Sequence, residues 1–151
     1  MPGYKTHFVG GILTAALVLG VLYYFNWELP LSSISFALLS ACIYGLLPDV
    51  DIRTSKIFLL WSIIVTGSML IFTLRVAFKG LPETQIIIAM AGLAALYFLS
   101  LFARHRGFFH KYTTGMIFAI PVWLYFGMTV GIAALSAYWS HLILDKVRPD
   151  G

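Results

Sequence analysis

A single cysteine, Cys42, in a chain of 151 residues excludes an intramolecular disulfide, and no Cys-x-x-Cys pair is available for thiol redox work. Its place inside an apolar run is that of a small core residue. Charge is also scarce, at 11% of the residues, only six of them acidic. The chain has no Gly-rich phosphate loop and no Gly-x-Ser-x-Gly elbow, so nucleotide-driven work and serine hydrolysis lack their minimal parts. Long polar linkers, internal repeats and low-complexity stretches are missing too. The length therefore suits one membrane-embedded helical domain over 1–151 and leaves no room for a second, soluble one. What fills the chain is apolar. With 60% hydrophobic residues and a mean hydropathy of +0.91, it departs from the roughly 45–50% apolar and 25% charged of a soluble domain, and the composition is that of an integral membrane protein.

Apolar stretches run over Phe8–Phe25, Leu31–Leu47, Ile57–Phe78, Ile86–Ala103 and Thr113–Leu144. The first four approach the ~20 residues that cross a bilayer as a helix. No Ala-x-Ala cleavage signal closes the first, which is read as a retained span. The fifth is too long for one crossing, at about 48 Å against a hydrocarbon core of about 30 Å. A break near Phe126-Gly127-Met128-Thr129-Val130-Gly131 divides it into two short helices, while Pro121 is expected to kink the first of them. The expected fold is all-α: a polytopic bundle of about six short transmembrane helices with both termini on one face. Lys5, Arg53, Lys56, Arg104, Arg106, Lys111, Lys146 and Arg148 gather on that face, against Arg75 and Lys79 on the other. The positive-inside bias turns the first set towards the cytoplasm, in a plasma (cell inner) membrane. The net charge of +4 is thus a topology signal with some attraction to anionic membrane lipids, and nucleic-acid binding is not expected.

All four histidines and three of the six acidic residues fall in four short patches on this same face. These are Thr6-His7, Pro48-Asp49-Val50-Asp51, His105-Arg106-Gly107-Phe108-Phe109-His110 and His141-Leu142-Ile143-Leu144-Asp145. His141 and Asp145 lie one helical turn apart, on one face of the last helix. His105 and His110 would diverge by roughly 140° on a continuous helix, so they are expected to converge through a turn at Gly107. Asp49 and Asp51 follow Pro48, and on an extended segment alternate carboxylates point the same way. His7 would complete the ring. Taken singly, such residues are ordinary interfacial anchors or helix caps. Together, His7, Asp49, Asp51, His105, His110, His141 and Asp145 make a mixed nitrogen and oxygen set for one or two divalent transition ions, zinc first, with manganese or iron as alternatives.

The order His7, Pro48-Asp49-Val50-Asp51, His105-Arg106-Gly107-x-x-His110 and Ser140-His141-Leu142-Ile143-Leu144-Asp145 resembles the LexA-regulated, membrane-bound metal-dependent hydrolase family. The likeness extends over nearly the whole chain. It departs at Ile52, where the family commonly has a further histidine, and at Phe109-His110-Lys111, where the family commonly reads Thr-His-Ser. The resemblance implies a membrane-embedded hydrolase in which a bound ion brings the pKa of its water towards about 7. Asp49 or Asp51 would bridge ions or take the nucleophile's proton, and Arg106 with Lys111 would grip a phosphate. Arg106 and Lys111 read equally well as positive-inside anchors. A site at the membrane boundary points to a phospholipid or another phosphoester. The alternatives are a noncatalytic protein in which metal staples helix ends together, and, third, a metal transporter, whose ligands would sit near the bilayer midplane.

Overall fold

The computed structural model describes residues 3–80, 84–102 and 107–147, with the backbone alone for Asp51, Gln85, Ile88 and Ala89. Among these residues there are six α-helices and no strand: α1 (Tyr4–Tyr24), α2 (Leu31–Tyr44), α3 (Lys56–Lys79), α4 (Thr84–Phe102), α5 (Tyr112–Phe126) and α6 (Met128–Val147). Each apolar stretch of the sequence becomes a helix, and the longest divides where glycine permits it. Gly127, at φ 91°, separates α5 from α6 in a backbone conformation that side chains with a Cβ rarely adopt. Pro121 lies inside α5. It removes the N–H that would close onto the Ile117 carbonyl, and one residue along, the Phe118 carbonyl accepts the Tyr44 hydroxyl at 2.6 Å.

Two helices, Tyr4–Tyr24 and Lys56–Lys79, are long and apolar enough to cross a membrane, and shorter apolar helices cover Leu31–Tyr44, Met90–Phe102 and Tyr112–Phe126. Leu13, Leu17 and Val21 along α1 are 64%, 68% and 48% exposed. A continuous apolar helix face left open in this way belongs in an apolar solvent. Several hydroxyls within the helices are satisfied locally, as an apolar solvent favours: Thr14 donates to the Gly10 carbonyl at 2.8 Å, Ser136 to Ala133 at 2.9 Å and Ser140 to Ala137 at 2.7 Å.

The chain divides into two compact units. The first, Met1–Pro48 with Arg106–Gly151, contains α1, α2, α5 and α6. Its organising element is α6, which packs against all three of the others. Small side chains make this possible. Ala15, Leu19, Ala37, Ala41, Ala133 and Ala137 form the buried cluster where α1, α2 and α6 meet. Close approach through alanine and glycine is how helices associate when lipid replaces water as the competitor. On the other side of α6, Tyr138 is fully buried and its hydroxyl donates to the Phe109 carbonyl, just before α5.

The second unit, Asp49–His105, holds α3 packed on α4. Ser55 caps α3 by accepting the Phe58 N–H at 3.0 Å, and its hydroxyl donates to the Asp49 carbonyl at 2.8 Å. Ser55→Ala deletes both bonds. Loss of an N-cap costs about 0.5–2 kcal/mol, and unfolding of the purified protein in mild detergent should show a destabilisation of that size.

One expectation is corrected here. Leu47–Asp51 is a 3-10 helix and not an extended segment. At 3.0 residues per turn, positions two apart are about 240° around the axis, so alternation does not aim Asp49 and Asp51 at a common centre. Pro48 fits this turn because its fixed φ suits a first helical turn as well as an extended chain.

Candidate metal centre

Three elements of the first unit bring four ligand side chains together at one end of the bundle. His7 sits in the first turn of α1, His110 in the turn just before α5, and His141 with Asp145 in the last turns of α6. His7 is 1% exposed and His141 0%. Asp145 faces all three imidazoles. Its Oδ1 lies 3.3 Å from His7 Nε2, and its Oδ2 lies 3.4 Å from His110 Nε2 and 3.5 Å from His141 Nε2. The His7 and His141 rings stack with centroids 3.7 Å apart and 20° between planes, and His110 meets His141 edge-on at 5.7 Å and 74°.

The tautomer of His141 follows from its other nitrogen. Nδ1 is 2.9 Å from the Gly45 carbonyl oxygen, which can only accept, so Nδ1 carries the proton. That carbonyl is available because Gly45 is the C-cap of α2, where the last carbonyls lack partners within the helix. In a neutral ring, Nε2 then presents a lone pair towards the Asp145 carboxylate, and two lone pairs repel unless a cation lies between them. An imidazolium paired with the carboxylate supplies one such cation. A metal ion meets the same requirement while each imidazole stays neutral, and a backbone carbonyl holding the second ring nitrogen is the usual support for a histidine ligand.

His7, His141 and Asp145 offer ligand atoms that all lie within 4.8 Å of one another, and His110 Nε2 approaches Asp145 Oδ2 at 3.4 Å, near the about 3.3–3.4 Å between neighbouring donors of a tetrahedral zinc. The donor set of three imidazoles and one carboxylate suits zinc, iron or manganese.

A family model for the YdjM inner membrane proteins matches residues 1–151. The chain belongs to the YdjM inner membrane protein family. No curated protein and no solved structure matches it. Membership makes this a membrane protein of the inner membrane, which agrees with its composition and with the exposed apolar face of α1.

Of the seven ligands expected from sequence, this YdjM-family chain brings His7, His110, His141 and Asp145 together. Asp49 belongs to the second unit, where its carbonyl accepts from the Ile52 N–H at 3.1 Å as well as from Ser55. The Asp51 side chain, His105 and Arg106 lie outside the described residues. Lys111 is exposed at the N-cap of α5. Together with His110, Tyr112, Thr113, Leu142, Asp145 and Lys146 it lines a cavity of about 650 Å³, so the cluster has an open side with two ammonium groups on its wall. Two participants were missed from sequence. Gly45 enters through its backbone carbonyl, which no residue-type pattern reports. Lys146 was counted only as a membrane anchor, although its position next to Asp145 in α6 was a usable signal.

Proposed function

We propose that this protein is a membrane-embedded metal-dependent hydrolase, with six short spans and its ligand cluster facing the cytoplasm, acting on a phosphoester or phospholipid. The observation that carries the reading is the cavity. Two of the four cluster side chains, His110 and Asp145, form part of its wall beside Lys111 and Lys146. A buried ion needed only to fasten helices has no use for a basic opening of this kind. The orientation rests on the bias of eight basic residues against two, Arg75 and Lys79.

His7, His110, His141 and Asp145 would hold the ion. When bound, the ion supplies a Lewis acid that polarises a phosphoryl oxygen and makes water acidic near neutral pH. The Gly45 carbonyl fixes the orientation of His141. Lys111 and Arg106 neutralise the phosphate charge, Lys111 as a point charge and Arg106 through its planar fork.

A second reading has its own observation. Three histidines and one aspartate suffice to fill a tetrahedral shell, the arrangement of closed structural sites. Such a site would join the start of α1 and the turn before α5 to the end of α6 without turnover. Metal analysis of the purified protein, followed by hydrolysis assays on metal-loaded and metal-stripped samples, separates the two. The hydrolase reading expects one or two transition ions per chain and release of phosphate or alcohol from phosphoester or phospholipid substrates only in the loaded sample. A loaded protein that hydrolyses none of them, and that unfolds when stripped, is a structural metal protein. A folded chain that takes up no zinc, manganese or iron removes both readings.

A further inference from the structure

A groove lies further along the same pair of helices as the basic cavity. Ala119, Ile120 and Trp123 of α5 and Gly131, Ile132 and Leu135 of α6 line an apolar trough of about 360 Å³. On α5, Tyr112 in the cavity and Met116, Ala119 and Trp123 in the groove follow one helix face at steps of three or four. On α6, Lys146 and Leu142 of the cavity and Leu135, Ile132 and Met128 of the groove share one face, at steps of four, seven, three and four. The trough is concave because its floor is small. Ala119 is only 6% exposed, and Gly131 lets the helices approach so closely that a Cβ there would lie 2.7 Å from Trp123 Cβ.

The stretch between cavity and groove is aromatic. Trp139, four residues after Leu135 and three before Leu142, donates its indole N–H to the Tyr112 carbonyl at 3.2 Å and meets the Tyr112 ring edge-on at 6.0 Å. Lys146 Nζ stands 4.9 Å from the centre of that same ring. A tryptophan and a tyrosine between an apolar trough and a charged opening mark the depth at which lipid tails give way to head groups. Along α6, Leu135 lies about 10 Å and Met128 about 21 Å from Leu142, against about 15 Å for one leaflet of hydrocarbon. The trough therefore begins within the nearer leaflet and reaches past its inner edge.

We propose that the α5–α6 groove seats an acyl chain of an anionic phospholipid whose phosphate lies between Lys111 and Lys146, beside the His-Asp cluster. The proposal rests on the hydrolase reading for what happens to the head group there. Its own content is a lipid-binding site with two parts, a basic one for the phosphate and an apolar one for the chain. Lys146 and Lys111 would favour an anionic head group over a zwitterionic one, and Ile120, Ile132 and Leu135 would demand a chain.

The test is native mass spectrometry of the full-length, delipidated protein in mild detergent, offered equal amounts of phosphatidylglycerol and phosphatidylcholine. Metal content is measured on the same samples. Wild type should retain phosphatidylglycerol in roughly tenfold preference or better, the scale set by two lysines at a membrane surface. K111E/K146E should lose the preference. Leu135→Trp, which fills the trough, and Ile120→Trp, on its half-exposed rim, should each lose the bound lipid while keeping the wild-type metal content, which also reports that they are folded. Glycerol phosphate, a head group without a chain, should fail to displace the lipid. Equal retention of the two lipids, unchanged retention in both tryptophan variants, or displacement by glycerol phosphate overturns the proposal. Lipid preference in a protein that binds no metal would overturn the hydrolase reading and leave the lipid site standing. Metal without lipid preference would do the reverse.

Discussion

On the proposed metal-binding reading, Asp145→Asn is expected to abolish zinc uptake by the purified protein. Asp145 is the side chain that all three imidazole Nε2 atoms approach, at 3.3, 3.4 and 3.5 Å. Asparagine keeps the shape but removes the negative charge, and its amide NH₂ donates where the ion requires a lone pair. Loss of an outer hydrogen-bond partner costs a metal site about 10–100-fold in affinity, and loss of a ligand carrying the only charge in the cluster should exceed about 100-fold. The second readout is stability. A ligand bound only by the folded state stabilises it by about 2.7 kcal/mol at 100 times its Kd, so zinc should raise the unfolding temperature of wild type and leave that of Asp145→Asn unmoved. An Asn variant that retains stoichiometric zinc would show that the cluster is a hydrogen-bonded network without an ion.

Much of the helical layout was legible because its signals are local. The apolar runs over 8–25, 31–47, 57–78 and 86–103 become α1 to α4 with ends shifted by a few residues, since in a membrane protein hydropathy and length coincide with the element itself. The division of the fifth run was legible from Gly127, whose positive φ is a property of that residue type. Packing was less legible. The central place of α6 depends on Ala133 and Ala137 meeting small residues from α1 and α2 and on Gly131 making room for Trp123 of α5, and helix-by-helix hydropathy gives alanine no preferred neighbour. The turn after α2 was misread for a related reason, because Pro48 is compatible with both an extended chain and a 3-10 turn, and the choice is made by how the neighbouring backbone closes.

The His-Asp cluster was legible in its residue types and only partly in its geometry. The i, i+4 relation of His141 and Asp145 is fixed by helical winding, so their convergence could be read directly. The approach of His7 and His110 to the same carboxylate is a tertiary fact, suggested by the shared membrane face and decided by the packing of α1 and α5 on α6. The role of Gly45 was invisible, because it acts through a carbonyl and through the absence of a Cβ.

That absence supports a prediction about a residue with no functional side chain. A Cβ on Gly45 would stand 3.0 Å from the Ala41 carbonyl oxygen, 3.1 Å from the His7 carbonyl oxygen and 3.3 Å from Gly11 Cα. All three neighbours are backbone, so none can rotate away. Gly45→Ala must therefore push the start of α1 from the end of α2, moving His7 and shifting the carbonyl that orients His141 Nδ1. Bond lengths in a metal site tolerate only about 0.2 Å, so a displacement of a few tenths of an ångström at two of the four donors should cost about 10–100-fold in zinc affinity. Overpacking should lower stability by about 1–3 kcal/mol as well. Gly20→Ala is the control: it lies in the same helix as His7, nothing stands within 4 Å of its added Cβ, and alanine in a helix is favoured over glycine by up to about 1 kcal/mol. Competition titration against a chromophoric zinc chelator, paired with thermal unfolding, reads both effects. Equal zinc affinity in the two variants would mean that the α1–α2 contact does not position the histidines; a selective loss in Gly45→Ala would make the close α1–α2 contact at Gly45 part of the proposed metal site.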